Sequence, residues 1–154
     1  SAKLREMNCN IQEGDDFIRV FVDKKLSSAN VKTMTYPGFP TDLQPQMTAL
    51  LSCVNGTGVI TETVWENRFQ YVGELRRLGA DISVDSRTAV ITGKENLTGA
   101  QVRATDLRAG AALVIAGLAA KGRTEIDNVK YIDRGYEQIE KKLKLLGADI
   151  SRVD

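Results

Sequence analysis

Three arginines near predicted helix starts are the first residues of this sequence to suggest a specific chemistry. Arg108 falls in the first turn of one predicted helix, and Arg68 and Arg134 occupy equivalent positions near the starts of two others. A helix N-terminus carries partial positive charge, so a cation there is mildly unfavourable unless an anion binds beside it. Because a guanidinium group holds phosphate or carboxylate through paired hydrogen bonds, the pattern predicts a site for an anionic ligand.

The alternative is that each arginine pairs with a carboxylate of this chain on a solvated surface. Neighbouring acids such as Asp106, Glu66 and Asp133 are candidate partners. Three arginines at related positions favour the ligand site, but pairing within the chain stays open at this level.

An aspartate, Asp42, is the candidate proton acceptor. The segment YPGFPTDLQPQ at 36–46 delivers it to a predicted helix start after an irregular, proline-rich approach. A carboxylate in that position can take a proton from a ligand hydroxyl group. A rigid structural turn is the alternative, and ordinary N-capping explains why the triplet TDL occurs at both 41–43 and 105–107.

Composition excludes several other kinds of chemistry. The chain has 154 residues, of which 42% are apolar, and it contains no histidine and only two cysteines, Cys9 and Cys53, without metal-ligand spacing. Serine–histidine and cysteine–histidine catalysis within the chain are therefore excluded, and a zinc site is not expected. We expect no cofactor, so any acid or base is a carboxylate, a lysine or a tyrosine.

Charge and hydropathy limit the expected partners and location. With 21 basic and 20 acidic residues the formal net charge is +1, and there is no long run of one sign, no apolar stretch of transmembrane length and no leader pattern. Neither nucleic acid nor a membrane is therefore an expected partner, and a cytoplasmic location is the default.

The elements that position these residues are repeated along the chain. ELRRLGADI at 74–82 returns as KLKLLGADI at 142–150, and a looser version, KLREMNCNI, lies at 3–11. Shorter motifs recur at similar distances. TDL recurs after 64 residues and LGADI after 68. GTGVI is matched by GRTEI after 66 residues, and ENRF is matched by IDRG after the same distance. Such offsets indicate a duplicated unit of about 65 to 70 residues with small insertions.

Hydrophobic periodicity predicts that one unit has the order βαβαββ. Its elements are a strand at 27–34, a helix at 42–54, a strand at 57–64, a helix at 68–79, and the strands ADISVD and TAVITG, joined by a turn at Ser86 and Arg87. The helix at 107–120 is apolar on nearly every face, which predicts burial on all sides.

The repeat also predicts how the chain is divided. Residues 1–24 would be the end of one unit, 25–94 a complete unit, and 95–154 a final unit that ends five elements in. Because the chain would begin inside the second helix of a unit, we expect a preceding part of the protein to be absent.

Five long segments closely resemble the enolpyruvyl transferases, and within them the UDP-N-acetylglucosamine 1-carboxyvinyltransferases. They are YPGFPTDLQPQ, GTGVITETVWENRF, ELRRLGADI, LTGAQVRATDLRAGAALVIAGLA and YIDRGYEQIEKKLKLLGADI. The resemblance covers about 36–154. It implies an inverse α/β barrel of βαβαββ units, with helices inside and sheets outside, of which this chain is a C-terminal, partial domain.

The resemblance also implies an activity and its partners. Enolpyruvyl would pass from phosphoenolpyruvate to the 3-hydroxyl of UDP-N-acetylglucosamine, with release of phosphate, in the first committed step of peptidoglycan synthesis. That step would link the protein to cell wall biogenesis, cell shape and cell division. The missing N-terminal part would be a further partner, and the isolated chain would be inactive and prone to self-association through uncovered surfaces.

The nucleotide sugar would be bound by one group of residues. By resemblance, Asp42 contacts the sugar and deprotonates its 3-hydroxyl, with Thr41 beside it. Val64 and Trp65 resemble positions that touch the uridine nucleotide, and Arg68 resembles a cleft arginine.

Phosphoenolpyruvate would be bound by a second group. Asp106 resembles an acidic group near its reacting carbon, and Arg108 and Arg134 resemble the arginines that hold its anionic groups. The family's lysine–asparagine pair and mobile loop would lie in the other part of the protein, so neither Cys9 nor Cys53 takes the role of the loop cysteine.

Two alternatives to this function remain. One is a sibling transferase that acts on shikimate 3-phosphate, against which the segment VWENRF argues because it matches the nucleotide-sugar branch. The other is a noncatalytic, anion-binding repeat module.

Overall fold

The computed structural model describes residues 1–153. It begins with a short helix and a hairpin: α1 (Ala2–Glu6), β1 (Asn10–Glu13) and β2 (Ile18–Phe21). The two strands pair antiparallel, as expected for the last strands of a βαβαββ unit. All four residues of β2 are exposed, whereas Asn10 and Ile11 of β1 are partly buried.

The middle of the chain forms a four-stranded sheet with helices attached. Its elements are β3 (Val31–Lys32), a 3₁₀ turn (Thr41–Leu43), α2 (Gln44–Leu51), β4 (Thr57–Thr61), a second 3₁₀ turn (Arg68–Tyr71), α3 (Val72–Arg77), β5 (Asp81–Asp85) and β6 (Thr88–Thr92). The predicted elements between 27 and 93 thus occur in the predicted order, although each predicted helix begins with a 3₁₀ turn.

The sheet order is β3–β4–β6–β5, and only the β3–β4 pair is parallel. Strands β5 and β6 meet in the predicted turn, where Ser86 adopts a left-handed backbone conformation (φ 52°). Alternate residues of these strands, including Ile82, Ala89 and Ile91, are buried, so one face of the sheet covers the core.

The last part of the chain repeats the parallel pairing. It comprises β7 (Leu97–Thr98), β8 (Gln101–Arg103), α4 (Leu107–Ala119), β9 (Ala120–Lys121), β10 (Glu125–Asp127), α5 (Lys130–Asp133) and α6 (Ile139–Leu145). β8 pairs parallel with β10 as β3 does with β4, and β7 pairs parallel with β9 as Ser27 bridges to Asn55. The repeat in sequence is therefore a repeat in strand pairing.

The predicted fifth element of this last unit is not formed. Residues 148–153 have no regular secondary structure, whereas the equivalent β5 is a strand. Strand β5 is held by its antiparallel partner β6, and no described segment offers such a partner to 148–153.

Helix α4 is mostly but not entirely buried, which corrects the prediction of burial on all sides. It packs against α2, and Leu113 at its centre is fully buried. Gly110 allows close approach to α5, because a Cβ there would lie 2.5 Å from Cγ1 of Ile132. Ile115 and Leu118 are 38% and 43% exposed, so this stripe of the helix is only partly covered. None of the helices within 1–153 is both long and apolar enough to cross a bilayer.

The two sides of α4 predict unequal costs of truncation. Leu113→Ala should lower the free energy of unfolding by about 2–5 kcal/mol, because it removes a fully buried side chain and leaves a cavity. Leu118→Ala, on the exposed stripe, should cost less than about 1 kcal/mol. Denaturant unfolding of the two variants measures both values, and equal losses would contradict this assignment of the helix faces.

Candidate active site

The site is centred on one carboxylate that two arginines share. Arg108 approaches Asp42 with two donors, Nε to Oδ1 and an Nη to Oδ2, the latter at 2.8 Å. Arg68 donates to Oδ1 of the same carboxylate at 2.9 Å and to the backbone carbonyl of Thr41 at 3.4 Å. Four of the predicted site residues are therefore brought together, although Asp42 and Arg108 are 66 residues apart.

Parallel strand pairing explains this convergence. The carboxyl ends of two parallel strands lie at the same edge, so the loops after β3 and β4 lead to neighbouring turns that begin at Thr41 and Arg68. The loop after β8 brings α4 and Arg108 to the same region through the packing of α4 on α2.

The ion pairs change the proton affinity of Asp42. Hydrogen bonding from Arg108 is the largest cause that holds its pKa below the ordinary value, and the charges of Arg108 and Arg68 act in the same direction, while partial burial opposes them. The side chain of Asp42 is 55% exposed, so the carboxylate is accessible to a ligand. In this arrangement Asp42 is charged and is a weak proton acceptor.

The two TDL triplets behave differently, which corrects the common N-capping interpretation. Asp106 is the N-cap of α4, and its Oδ1 accepts hydrogen bonds from the backbone N–H groups of Arg108 (2.8 Å) and Ala109 (3.0 Å). Asp42 lies inside a 3₁₀ turn, makes no side-chain cap and binds arginines instead.

The alternative that each arginine pairs with a neighbouring carboxylate is wrong in the choice of partners. Glu66 pairs with Arg87 at 2.9 Å, and Asp133 pairs with Arg152 at 2.6 Å. The carboxylate of Asp106 caps the helix that carries Arg108. Among residues 1–153, Arg68 and Arg108 therefore pair with a distant carboxylate, Asp42, rather than with their neighbours.

Arg134 does not lie at a helix start, contrary to the prediction. It follows the last residue of the four-residue helix α5, and α6 begins only at Ile139. Its guanidinium lies 6.0 Å from the centre of the Tyr131 ring, and the described residues offer it no ion pair. Arg134 is exposed and is not a member of the Asp42 cluster.

A buried carboxylate that sequence reasoning missed lies beside this cluster. Glu62 is 1% exposed, directly follows β4 and accepts four hydrogen bonds. Oε1 accepts from the Thr33 hydroxyl (2.7 Å) and from the backbone N–H groups of Val64 (2.8 Å) and Trp65 (3.0 Å). Oε2 accepts from the Thr41 hydroxyl at 2.9 Å.

These hydrogen bonds determine the charge state of Glu62. Burial alone would raise its pKa, but the donors from Trp65, Thr33, Val64 and Thr41 together outweigh burial and lower the pKa. The available signal in the sequence was an acidic residue inside the apolar strand segment GVITETV, where a charge is tolerated only with several partners.

The remaining predicted residues lie around these two carboxylates. Val64 and Trp65 have their backbone tied to Glu62, while their side chains lie at the surface, 42% and 59% exposed. Cys53 is partly buried, and burial raises the pKa of its thiol, which does not favour a reactive thiolate. Within 1–153 no cluster of three metal-binding side chains occurs.

The lowered pKa of Glu62 predicts an acid-dependent part of the stability. This contribution is present above the unfolded-state value of about 4.5 and is lost as the pH falls through the lower folded-state pKa. Glu62→Gln should therefore unfold with a free energy that declines less between neutral and acid pH than in the original chain.

Glu66→Gln is the matched control, because the side chain of Glu66 is 81% exposed and its surface pair contributes little. Denaturant unfolding at several pH values tests both variants. Parallel pH dependence for the original chain and Glu62→Gln would contradict the charged state assigned to Glu62.

Comparisons with known proteins give a consistent assignment. The family model described as EPSP synthase (3-phosphoshikimate 1-carboxyvinyltransferase) matches residues 1–143. A UDP-N-acetylglucosamine 1-carboxyvinyltransferase of Desulfofundulus thermocisternus is 60% identical over 99% of this chain and 63% of its own length. One of Halothermothrix orenii is 55% identical over 99% of this chain and 36% of its own length. The chain thus spans less than two thirds of either relative.

Solved structures agree on the fold. The enolpyruvyl transferase NikO from Streptomyces tendae superposes with a TM-score of 0.86 and 35% identity, over 96% of this chain and 34% of that protein. EPSP synthase from Acinetobacter baumannii superposes with a TM-score of 0.62 and 19% identity over 81% of this chain and 30% of that protein, which supports the fold alone. The predicted fold class, a partial inverse α/β barrel, is confirmed.

The repeat, the paired parallel strands and the match over residues 1–143 lead to one assignment: the chain belongs to the EPSP synthase family of enolpyruvyl transferases.

Proposed function

We propose that this chain is part of an enzyme that transfers enolpyruvyl from phosphoenolpyruvate to the 3-hydroxyl of UDP-N-acetylglucosamine and releases phosphate. The observation that carries the proposal is the Asp42 carboxylate shared by Arg108 and Arg68. A potential base and two anion-binding groups in one cluster are what the reaction of an alcohol with an anionic phosphate ester requires. The names of the relatives support the choice of substrates.

Asp42 is the base in this proposal, and substrate binding activates it. While Arg108 holds both carboxylate oxygens, the pKa of Asp42 is low and proton transfer to it is unfavourable. An anionic substrate that takes over the donors of Arg108 weakens this pairing and raises the pKa of Asp42 towards its ordinary value. The sugar hydroxyl then loses its proton to a stronger base.

The anionic groups of phosphoenolpyruvate are held by Arg108 and, from outside the Asp42 cluster, by Arg134, while Arg68 lines the same cleft. Arg134 is exposed and lacks a described ion pair, so its guanidinium is available for a ligand. Asp106 keeps Oδ1 on the helix backbone and offers only Oδ2 to the reacting carbon. The exposed side chains of Val64 and Trp65 contact the uridine nucleotide, and Thr41 lies beside the sugar.

The wider assignment follows the same proposal. The units at 1–24, 25–94 and 95–154 belong to one enolpyruvyl transferase domain, and an N-terminal part of the protein supplies the other wall of the cleft. The enzyme acts in the cytoplasm in peptidoglycan synthesis, and so contributes to cell wall biogenesis, cell shape, the cell cycle and cell division. Uncovered apolar side chains such as Ile115 and Leu118 favour self-association of the isolated chain.

A substrate comparison tests the function. The full-length protein should release phosphate from phosphoenolpyruvate only when UDP-N-acetylglucosamine is present, and not with shikimate 3-phosphate, the acceptor that the family description suggests as the second candidate. Release with shikimate 3-phosphate alone would overturn the substrate assignment. The isolated 154-residue chain should release none, because one wall of the cleft neither excludes water nor aligns the reactants.

Asp42→Asn tests the base in the full-length protein. It keeps the side-chain volume but removes the proton acceptor, so kcat should fall by roughly 100-fold or more. The protein should stay folded, because the carboxylate is 55% exposed and does not cap a helix, and loss of its pairs with Arg68 and Arg108 should lower the melting temperature only modestly. Steady-state kinetics and thermal melting measure the two effects, and a folded Asp42→Asn protein with full activity would exclude the base role.

Arg108→Ala and Arg134→Ala test the anion site. Each should raise the KM for phosphoenolpyruvate about 10- to 100-fold, which is the loss of affinity expected when a hydrogen bond to a charged group is removed. The KM for the nucleotide sugar should change much less. Arg123→Ala is the control, because Arg123 is 75% exposed and pairs with Glu125 at the surface. Equal effects on both substrates would argue against the assigned role.

A further inference from the structure

Glu62 joins two segments that the sequence keeps apart. Thr41 precedes the candidate base, and Val64 and Trp65 form the candidate nucleotide contact, yet all three donate to the same buried carboxylate. The carboxylate is 1% exposed, so it does not itself meet a ligand. Its position between the two segments indicates an indirect role.

The two oxygens of Glu62 divide their partners. Oε1 takes the backbone N–H groups of Val64 and Trp65 together with the Thr33 hydroxyl, and Oε2 takes only the Thr41 hydroxyl. Thr33 is itself fixed to the segment, since the Thr63 N–H donates to its hydroxyl at 2.9 Å. A shift of this carboxylate therefore moves both segments at once.

The segments also have contacts besides those to Glu62: Thr63 bonds Thr33, and Asp42 pairs with Arg68 and Arg108. The side chains of Val64 and Trp65 are largely at the surface, and the Asp42 side chain is 55% exposed. Packing against the core therefore does not fix where these residues lie. The hydrogen bonds to Glu62 are charge-assisted and buried, and they connect Thr41 with Val64 and Trp65 through one carboxylate.

We propose that Glu62 is a positioning residue of the transferase, which sets the distance between the proton-accepting Asp42 turn and the Val64–Trp65 segment that holds the nucleotide. The inference rests on the proposed function. Glu62 touches neither substrate and transfers no proton; it acts through the reach of its side chain.

Two substitutions separate reach from charge. Glu62→Gln keeps the length of the side chain. Its amide oxygen can still accept from the partners of Oε1, and its amide N–H group can donate to the Thr41 hydroxyl. Glu62→Asp keeps the charge but is shorter by about 1.5 Å, one carbon–carbon bond, so it cannot serve all four donors. A positioning role predicts that Gln is tolerated better than Asp, whereas a proton-transfer role predicts the opposite order.

The expected kinetics follow from this difference. In the full-length protein Glu62→Asp should lower kcat by about 100-fold, the effect of a displacement of about 1 Å at the reacting groups. Glu62→Gln should lower kcat by about 10-fold or less, because neutral hydrogen bonds replace charge-assisted ones. Both should raise the KM for UDP-N-acetylglucosamine, and the acid limb of the pH profile of kcat should be unchanged in Glu62→Gln.

A stability control distinguishes positioning from a general structural role. Ser52→Ala removes a buried hydroxyl that donates to the Thr48 carbonyl at 2.8 Å, at the C-terminal end of α2 and outside the proposed site. It should lower the melting temperature without changing KM or kcat. Wild-type kcat and KM in both Glu62 variants, with only a lower melting temperature, would overturn the proposal, as would higher activity in Glu62→Asp than in Glu62→Gln.

A second measurement separates failure of this inference from failure of the proposed function. If the unsubstituted full-length protein shows no transferase activity, the function is wrong, but amide hydrogen exchange at 63–65 still tests the positioning role. Exchange there should be faster in Glu62→Asp than in Glu62→Gln. Equal exchange in the two variants would overturn the role of Glu62.

Discussion

Burial of the Glu62 charge is the constraint on which the arrangement of the site depends. A carboxylate removed from water is strongly unfavourable unless donors surround it, and here four donors from three separate segments do so. The ends of β3 and β4 and the turn before α2 are therefore held to one point. The turn that contains Asp42 is connected to Glu62 through the hydrogen bond of the neighbouring Thr41.

Asp42 connects this part of the site to Arg108, which lies 66 residues further along the chain. Arg68 lies in the same predicted unit as Asp42, and Arg108 lies in the predicted final unit. Each arginine is attracted to the Asp42 carboxylate, and the same interactions keep Asp42 a weak base. In the proposed mechanism an anionic ligand takes the place of Asp42 at Arg108, so the same contacts would account for both a stable unliganded site and activation on binding.

Sequence patterns predicted the parts that depend on local periodicity. The order of the elements from 27 to 93, the cap at Asp106 and the turn at Ser86 follow from hydrophobic spacing and from side chains that bond their own backbone. The resemblance in long segments predicted the family and its fold.

The features that depend on distant contacts were not predictable in this way. Asp42 has the same sequence context as Asp106 but binds arginines instead of capping a helix, because Arg108 reaches it from 66 residues away. Arg134 lies beyond the end of α5 and not at a helix start, because residues 134–138 separate α5 from α6. Two partners of Glu62, Thr33 and Thr41, lie 29 and 21 residues from it, so no local motif marks these contacts.

The most direct test of the account is a crystal structure of the full-length protein with UDP-N-acetylglucosamine and inorganic phosphate, which together cannot react. The account predicts that Arg108 binds the phosphate and has left Asp42, whose carboxylate lies about 2.6–3.2 Å from the 3-hydroxyl of the sugar. A complex in which both ligands bind elsewhere, with Asp42 still paired to Arg108, would contradict it.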